Sequence, residues 1–365
     1  MTGSPSVDLN ARIAGLLGDL AAIQTIRPKA LAYRHAAATV FSLPAQLDRL
    51  RANGPLPKIA GIGPSSQRVI DEVLGTGASV KVESAVDASG KRADVDRRRG
   101  LRDRFFSRAE VLRILAEPSS TGVKIADYRA DFQMHSTWSD GALGLPALAR
   151  ACAARGYTHS AITDHARGLA IAGGMSPDDV IAQHREIDEI NARHNDFVVL
   201  KGVEANIDAD GGLDLSAEEL ATFDLVLAAP HAKLRKTEDQ TGRLLRVLDT
   251  AGVHVLAHPS GRKRGERAGI VADWDAIFAR AATLKVAIEI DGDPSRQDLD
   301  FALAARARDA GCLFALDSDA HGADQLVYAE TAIAHARLAG IPAARVINCW
   351  PLAKLRRWMR DVQSR

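Results

Sequence analysis

From Tyr128 onward the chain repeats one pattern, a short apolar run followed by a stretch with helical spacing. Seven runs come in order: ADFQMH, HSAITDH, FVVLKGVEANI, DLVLAAPH, VHVLAHP, KVAIEID and CLFALDSDAH. Between them, LPALARACAARG and LDFALAARARDAG place apolar residues on one helical face. Strands that alternate with helices pair in parallel, and right-handed crossovers close them into a barrel or an open doubly wound sheet. Each run also has His, Asp or Glu at or near its C-terminal end. In a barrel those ends share one face, so the polar groups are expected to meet in one pocket.

The expected ligand set is Gln133, His135, Asp140, His165, Glu204, His231, His258, Asp319 and His321. Imidazoles mixed with carboxylates suit Mn²⁺, Zn²⁺ or Fe²⁺ better than Mg²⁺, and the set is large enough for two or three divalent ions. Gln133-x-His135 and Asp319-x-His321 put both side chains of a pair on one side of a strand end. Glu204 is a carboxylate able to bridge two ions. One histidine ending a strand is more often a plain hydrogen-bonding residue, but polar groups at all seven ends point to a shared task. His35, His159, His184, His194, His254 and His335 lack this placement and read as surface or core residues. Arg262, Arg296 and Lys233 are candidates for holding a phosphate. Asp291, ending the sixth run, is a candidate for holding a ligand imidazole from behind.

The motifs HSTWSDG, ITDH, GVE, AAPH, AHPSGR, EIDGDPSR and DSDAH, in that order, resemble those of the polymerase-and-histidinol-phosphatase (PHP) superfamily. The likeness covers roughly residues 128–350. It implies a distorted (β/α)7 barrel and metal-dependent phosphoesterase activity at a trinuclear centre. Carried over by motif, one ion takes Gln133, His135, Glu204 and Asp319; a second takes Glu204, His231 and His258; a third takes Asp140, His165 and His321. The superfamily's usual His-x-His is here Gln133-x-His135. The form Asp-Φ-Gln-Φ-His resembles the PHP domain of bacterial family X DNA polymerases.

The front of the chain has a different texture. Leu9, Ile13, Leu16, Leu17, Leu20 and Ile23 recur at helical spacing behind Asp8, a plausible N-cap. A second helix follows Pro28 and stops at Pro44, and a third runs through AQLDRLRA. Then LPKIAGIGPSSQRVIDEVLGTG has the form of a helix-hairpin-helix, whose glycines allow a tight turn and whose second helix offers backbone N–H groups to a phosphate. Together these helices resemble the small N-terminal DNA-binding domain of family X polymerases. The resemblance implies non-sequence-specific contact with the DNA backbone through Arg27, Lys29, Arg34, Lys58, Gly61 and Gly63. Whether Lys29 has a lyase role stays open. From about Ser79 to Leu101 the chain is polar with little periodicity, and a helix is expected near SRAEVLRILAE; residues 79–127 are expected to be a linker, too short for a polymerase palm. The expected division is therefore 1–78, 79–127 and 128–365.

Charge agrees with this plan. Residues 1–130 hold 20 Lys and Arg against 13 Asp and Glu, while the remainder holds 27 against 33. A basic front suits a polyanion and an acidic back suits bound cations. The start MTGSPSVDLNARI lacks the apolar core of a signal peptide, and no run is long enough to span a membrane. Three scattered cysteines, Cys152, Cys312 and Cys349, fit packing roles in a reducing cytoplasm. The leading expectation is a DNA-directed phosphodiesterase or phosphatase that trims 3′ ends in repair with metal-activated water. The alternatives are a small-molecule phosphatase of the histidinol-phosphatase type and a non-catalytic DNA-binding scaffold.

Overall fold

The computed structural model describes residues 7–52, 54–118, 121–193 and 196–365, so His194 lies outside the described residues. The chain divides into two compact units, residues 1–117 with 264–266, and residues 118–263 with 267–365.

The first unit is helical: α1 Leu9–Ile23, α2 Arg27–Ser42, α3 Leu47–Ala52, α4 Pro64–Thr76, α5 Val80–Ala88, α6 Arg92–Gly100 and α7 Arg108–Ala116. Asp8 caps α1 as its position foretells, accepting from the Ala11 N–H at 3.0 Å. The turn between α3 and α4 closes through Ile62 N–H to the Ile59 carbonyl at 3.1 Å. Gly61 sits there at φ +82°, where a Cβ would strike His35 Nε2 at 2.6 Å. The left-handed backbone favours glycine here.

The stretch expected to be a linker is folded instead. Val82, Val86, Val95 and Phe105 are buried in one core with Ile13, Leu17, Leu20 and Val40. Arg99 and Arg102 both reach the fully buried Asp19 carboxylate, at 2.8 and 2.6 Å. The charged look that suggested disorder comes from residues that pair locally, such as Arg98 with Asp94 at 2.8 Å.

The second unit holds six parallel strands in sequential order: β1 His159–Ile162, β2 Val198–Asn206, β3 Leu225–Ala229, β4 Val255–Leu256, β5 Ala287–Asp291 and β6 Leu313–Asp317. Helices α8 Leu145–Ala154, α9 Pro177–Arg193, α10 Ala217–Leu220, α11 Thr241–Asp249, α12 Trp274–Leu284, α13 Phe301–Asp309, α14 Ala329–Leu338 and α15 Leu352–Gln363 complete it.

The first expected strand, ADFQMH, is extended but irregular. It lies between β1 and β6 and bonds to both sides. Ala161 N–H donates to the Asp131 carbonyl at 3.1 Å, and His135 N–H donates to the Ala320 carbonyl at 2.9 Å. Side chains take the amides that a regular ladder would use: Asp317 Oδ1 accepts from Phe132 N–H at 2.8 Å and Thr163 Oγ1 from Met134 N–H at 3.1 Å. This segment closes the ring, giving the distorted seven-membered (β/α) barrel.

Small and branched residues, Ala161, Leu225, Val255, Ala287 and Ala315, fill the barrel interior. At the strands' N-terminal ends α15 seals it with Leu355, Trp358, Met359 and Val362. His254 Nε2 donates to the Met359 carbonyl at 3.1 Å, tying the plug to the barrel. His159 and His335 are also fully buried core residues, away from the strand-end cluster. The cysteines are free thiols, and burial pushes each up to about 12. Among the described residues no helix is long and apolar enough to cross a membrane.

Candidate metal centre

Glu204 ends up inside a ring of imidazoles. It lies near the C-terminal end of β2, fully buried. Its Oε1 is 2.9 Å from His258 Nε2 and 3.2 Å from His231 Nε2. Its Oε2 is 3.3 Å from both His135 Nε2 and His165 Nδ1. Burial alone would raise this carboxyl, but His165, His231 and His258 outweigh it and hold it well below the usual range.

Asp319 faces the same cavity, with Oδ1 3.1 Å from His135 Nε2. Asp140 Oδ1 lies 3.3 Å from His321 Nε2 and 3.6 Å from His165 Nε2. Eight of the nine expected residues therefore converge. Seven of them form three overlapping groups: His135, Asp140, His165 and His321; His165, Glu204 and His231; and His135, Glu204 and Asp319. His258 joins through Glu204. The sharing differs from that implied by the motifs, since His135 and His165 each serve two groups. His258 (φ +26°) and Asp319 (φ +52°) both hold left-handed backbone conformations. Strain at two non-glycine positions of one cavity is the mark of a site whose side-chain directions matter more than local comfort.

The donors themselves test whether cations fit. His231 Nδ1 lies 2.6 Å from Asn206 Oδ1, an acceptor, so Nδ1 carries the proton and the Nε2 lone pair faces Glu204. His321 Nδ1 likewise donates to the Asp319 carbonyl at 2.9 Å, turning its Nε2 lone pair toward Asp140. Lone pairs thus face carboxylate oxygens. The Nδ1 atoms of His135, His165 and His258 are buried and make no hydrogen bond among the described residues. Four imidazoles cannot all become cations around one carboxylate, whereas divalent ions satisfy both sets of lone pairs. The residues fit metal ions.

Gln133 is anchored through its amide nitrogen, which donates to the fully buried Glu289 carboxylate at 2.9 Å. Three expectations are corrected. Asp291 holds no imidazole; its Oδ1 accepts the Asp293 N–H at 2.6 Å and its Oδ2 lies 3.6 Å from Arg296 Nε. Arg262 is spent on Asp300, 2.7 Å away. Lys233 Nζ donates to the Ala209 carbonyl at 2.7 Å. Arg296 does reach the cluster, with Nε 3.4 Å from Asp319 Oδ2.

Three residues that the sequence reading passed over support the cluster from behind, and one of them does what Asp291 was expected to do. Asn206 holds His231. Asp214 in turn takes the Asn206 amide at 2.5 Å. Asp164, next to His165 and fully buried, binds the loop that carries Asp140. Their signal was their position, one or two residues from a ligand candidate or in the loop after it.

No family model matches the chain. It is 34% identical over 243 residues to the DNA polymerase/3′-5′ exonuclease PolX of Bacillus subtilis, covering 66% of this chain and 41% of that protein. The chain thus spans about two fifths of that relative's length. It is 30% identical over 181 residues to the probable phosphatase YcdX of Escherichia coli, covering 46% of this chain and 68% of that one. Among solved structures, histidinol phosphate phosphatase from Lactococcus lactis, complexed with zinc, L-histidinol and phosphate, aligns at a TM-score of 0.43 and 17% identity, covering 56% of this chain and 92% of that one. The match to YcdX over two thirds of its length, with a ring of parallel strands whose ends gather imidazoles round buried carboxylates, places this chain in the PHP superfamily of metal-dependent phosphoesterases.

Proposed function

We propose that the chain hydrolyses phosphoesters at DNA ends, with divalent ions held by His135, Asp140, His165, Glu204, His231, His258, Asp319 and His321. The observation that carries this reading is the Glu204 carboxylate with four imidazole nitrogens between 2.9 and 3.3 Å away. When bound, such ions polarise phosphoryl oxygens and activate water. The protein's own part is positional. Glu204 spans the cavity between His135 and His165 on one oxygen and His231 and His258 on the other. Arg296 keeps its Nε against Asp319 while its side chain remains 27% exposed, so its outer nitrogens are placed to take a phosphate oxygen. The Asp319 carboxyl, which burial would raise, is held far below its usual range by Arg296 and His135. It stays an anion.

Support for DNA comes from the first unit and from PolX. Arg27, Lys29, Arg34, Lys58, Gly61 and Gly63 are all exposed. The hairpin turn at Gly61 leads into the N-terminus of α4 at Gly63, a place that suits a phosphate. Trimming of 3′ ends during repair is the role that joins these features.

A panel of end-labelled duplexes, run with Mn²⁺, Zn²⁺ or chelator, tests the proposal. Metal-dependent release of 3′ nucleotides or phosphate is expected, and the D319A/H321A double variant should lose it while still binding DNA. Turnover confined to small phosphomonoesters would favour the phosphatase reading that YcdX suggests. Full activity in chelator would overturn the metal assignment.

A further inference from the structure

We propose that Asp214 and Asn206 are positioning residues that fix His231 as its Nδ1–H tautomer, and so aim its Nε2 lone pair at the ion beside Glu204. The inference rests on the metal reading above. It concerns two residues that contact no expected ion.

The chain of contacts runs outward from the cavity. His231 Nδ1 meets Asn206 Oδ1 at 2.6 Å. An amide is ambidextrous, however. Turned over, Asn206 would present its NH₂ to the ring and demand the other tautomer. Asp214 removes that freedom, because its Oδ2 accepts from Asn206 Nδ2 at 2.5 Å. A carboxylate accepts only, so the amide nitrogen must face Asp214 and the oxygen must face His231. His231 Nε2 is then left with a lone pair, 3.2 Å from Glu204 Oε1.

Asp214 is itself held firmly. Its Oδ1 accepts the Asn206 backbone N–H at 2.9 Å, and its Oδ2 also accepts the Gly168 N–H at 2.8 Å. Gly168 lies three residues beyond His165, and a Cβ there would sit 2.3 Å from Asp214 Oδ2. Only glycine lets that loop come so close. Three N–H donors, two from the end of β2 and one from the loop after His165, thus converge on one carboxylate. In Asp214→Asn the new amide cannot accept from all three; at least one donor must face its NH₂, which weakens the set of bonds that holds Asn206. Partners that orient a ligand imidazole typically change metal affinity by about 10–100-fold when lost.

The test uses the full-length chain and two readouts. In the metal-free protein, ¹⁵N–¹H NMR of labelled histidines should show the wild-type His231 ring protonated on Nδ1. Asp214→Asn and Asn206→Ala should each produce a mixture or the other tautomer. In competition with a chelating dye, each variant should bind Zn²⁺ or Mn²⁺ about 10–100-fold more weakly at one class of site. Thermal melting identifies any variant that fails to fold, and two variants guard against one doing so. A wild-type ring protonated on Nε2 overturns the inference. So does wild-type tautomer and affinity within twofold in both variants. If the wild-type chain bound neither ion, the metal reading would fail, while the tautomer measurement would still decide the roles of Asp214 and Asn206.

Discussion

Ser136 and Asp164 are joined twice: the Ser136 N–H donates to Asp164 Oδ1 at 2.7 Å and its hydroxyl to Oδ2 at 2.6 Å. Ser139 Oγ and Gln183 Nε2 complete the set at 2.6 and 2.7 Å. Four donors therefore surround one buried carboxylate. This clasp fixes the loop between His135 and Asp140 against the loop that carries His165.

Asp164→Asn should loosen that loop and weaken divalent-ion binding by about 10–100-fold, the range seen when ligand supports are removed. Equilibrium dialysis against Zn²⁺ checks it. Wild-type affinity in a folded variant would mean that the loop holds its shape without the clasp.

Glu204→Gln keeps the shape and removes the charge that four imidazoles share. We expect bound metal to fall and kcat/KM on a DNA end to drop by about 10²–10³-fold or more, the scale of losing a group that organises charge at the reacting centre. Metal content by emission spectroscopy, read beside turnover, separates this from misfolding.

The two arginines should part company. Arg296→Ala should lower kcat/KM, because its Nε lies 3.4 Å from Asp319 in the cluster. Arg262→Ala should instead destabilise the fold by about 1.5–3 kcal/mol, since it removes a charge-assisted bond to Asp300 at 2.7 Å. Urea titration of both variants decides it.

Stability should also fall toward acid through His254. Burial lowers this imidazole from 6.5 to about 4, and its Nδ1 accepts the Val226 N–H at 3.1 Å. The folded state binds the proton less well than the unfolded chain. Its contribution is therefore full above pH 6.5 and is lost as pH falls from 6.5 to about 4, a loss on the order of 3 kcal/mol. His254→Gln should flatten that part of the stability–pH curve, measured by urea midpoints between the two limits. An unchanged slope would contradict it.

Trp358 offers a control far from the metal centre. It is 6% exposed, and its indole N–H donates to the Lys285 carbonyl at 2.9 Å. Trp358→Ala should cost about 3–5 kcal/mol. Below its lowered melting temperature the variant should keep its metal affinity.

What was readable beforehand follows from where information is local. The alternation of apolar runs and helices announced the parallel barrel, and the polar residue ending each run announced the cavity, because strand direction places those ends together. Eight of the nine expected ligand positions meet there, seven in shared groups and His258 through Glu204. Which way Gln133 turns its amide was not legible, because that depends on what is buried beside it, and Glu289 comes from a strand far along the chain. The supposed linker misled for a related reason. Its arginines look solvated until Asp19, some eighty residues earlier, is seen buried between Arg99 and Arg102.

The sequence alone determined which chemical groups exist and in what order the strands deliver them. The tertiary structure alone decided which nitrogen of each imidazole faces inward, which carboxylate is a support and which faces the ions. A ring's tautomer and an amide's direction are set by the acceptor opposite them, and those acceptors come from elsewhere in the chain.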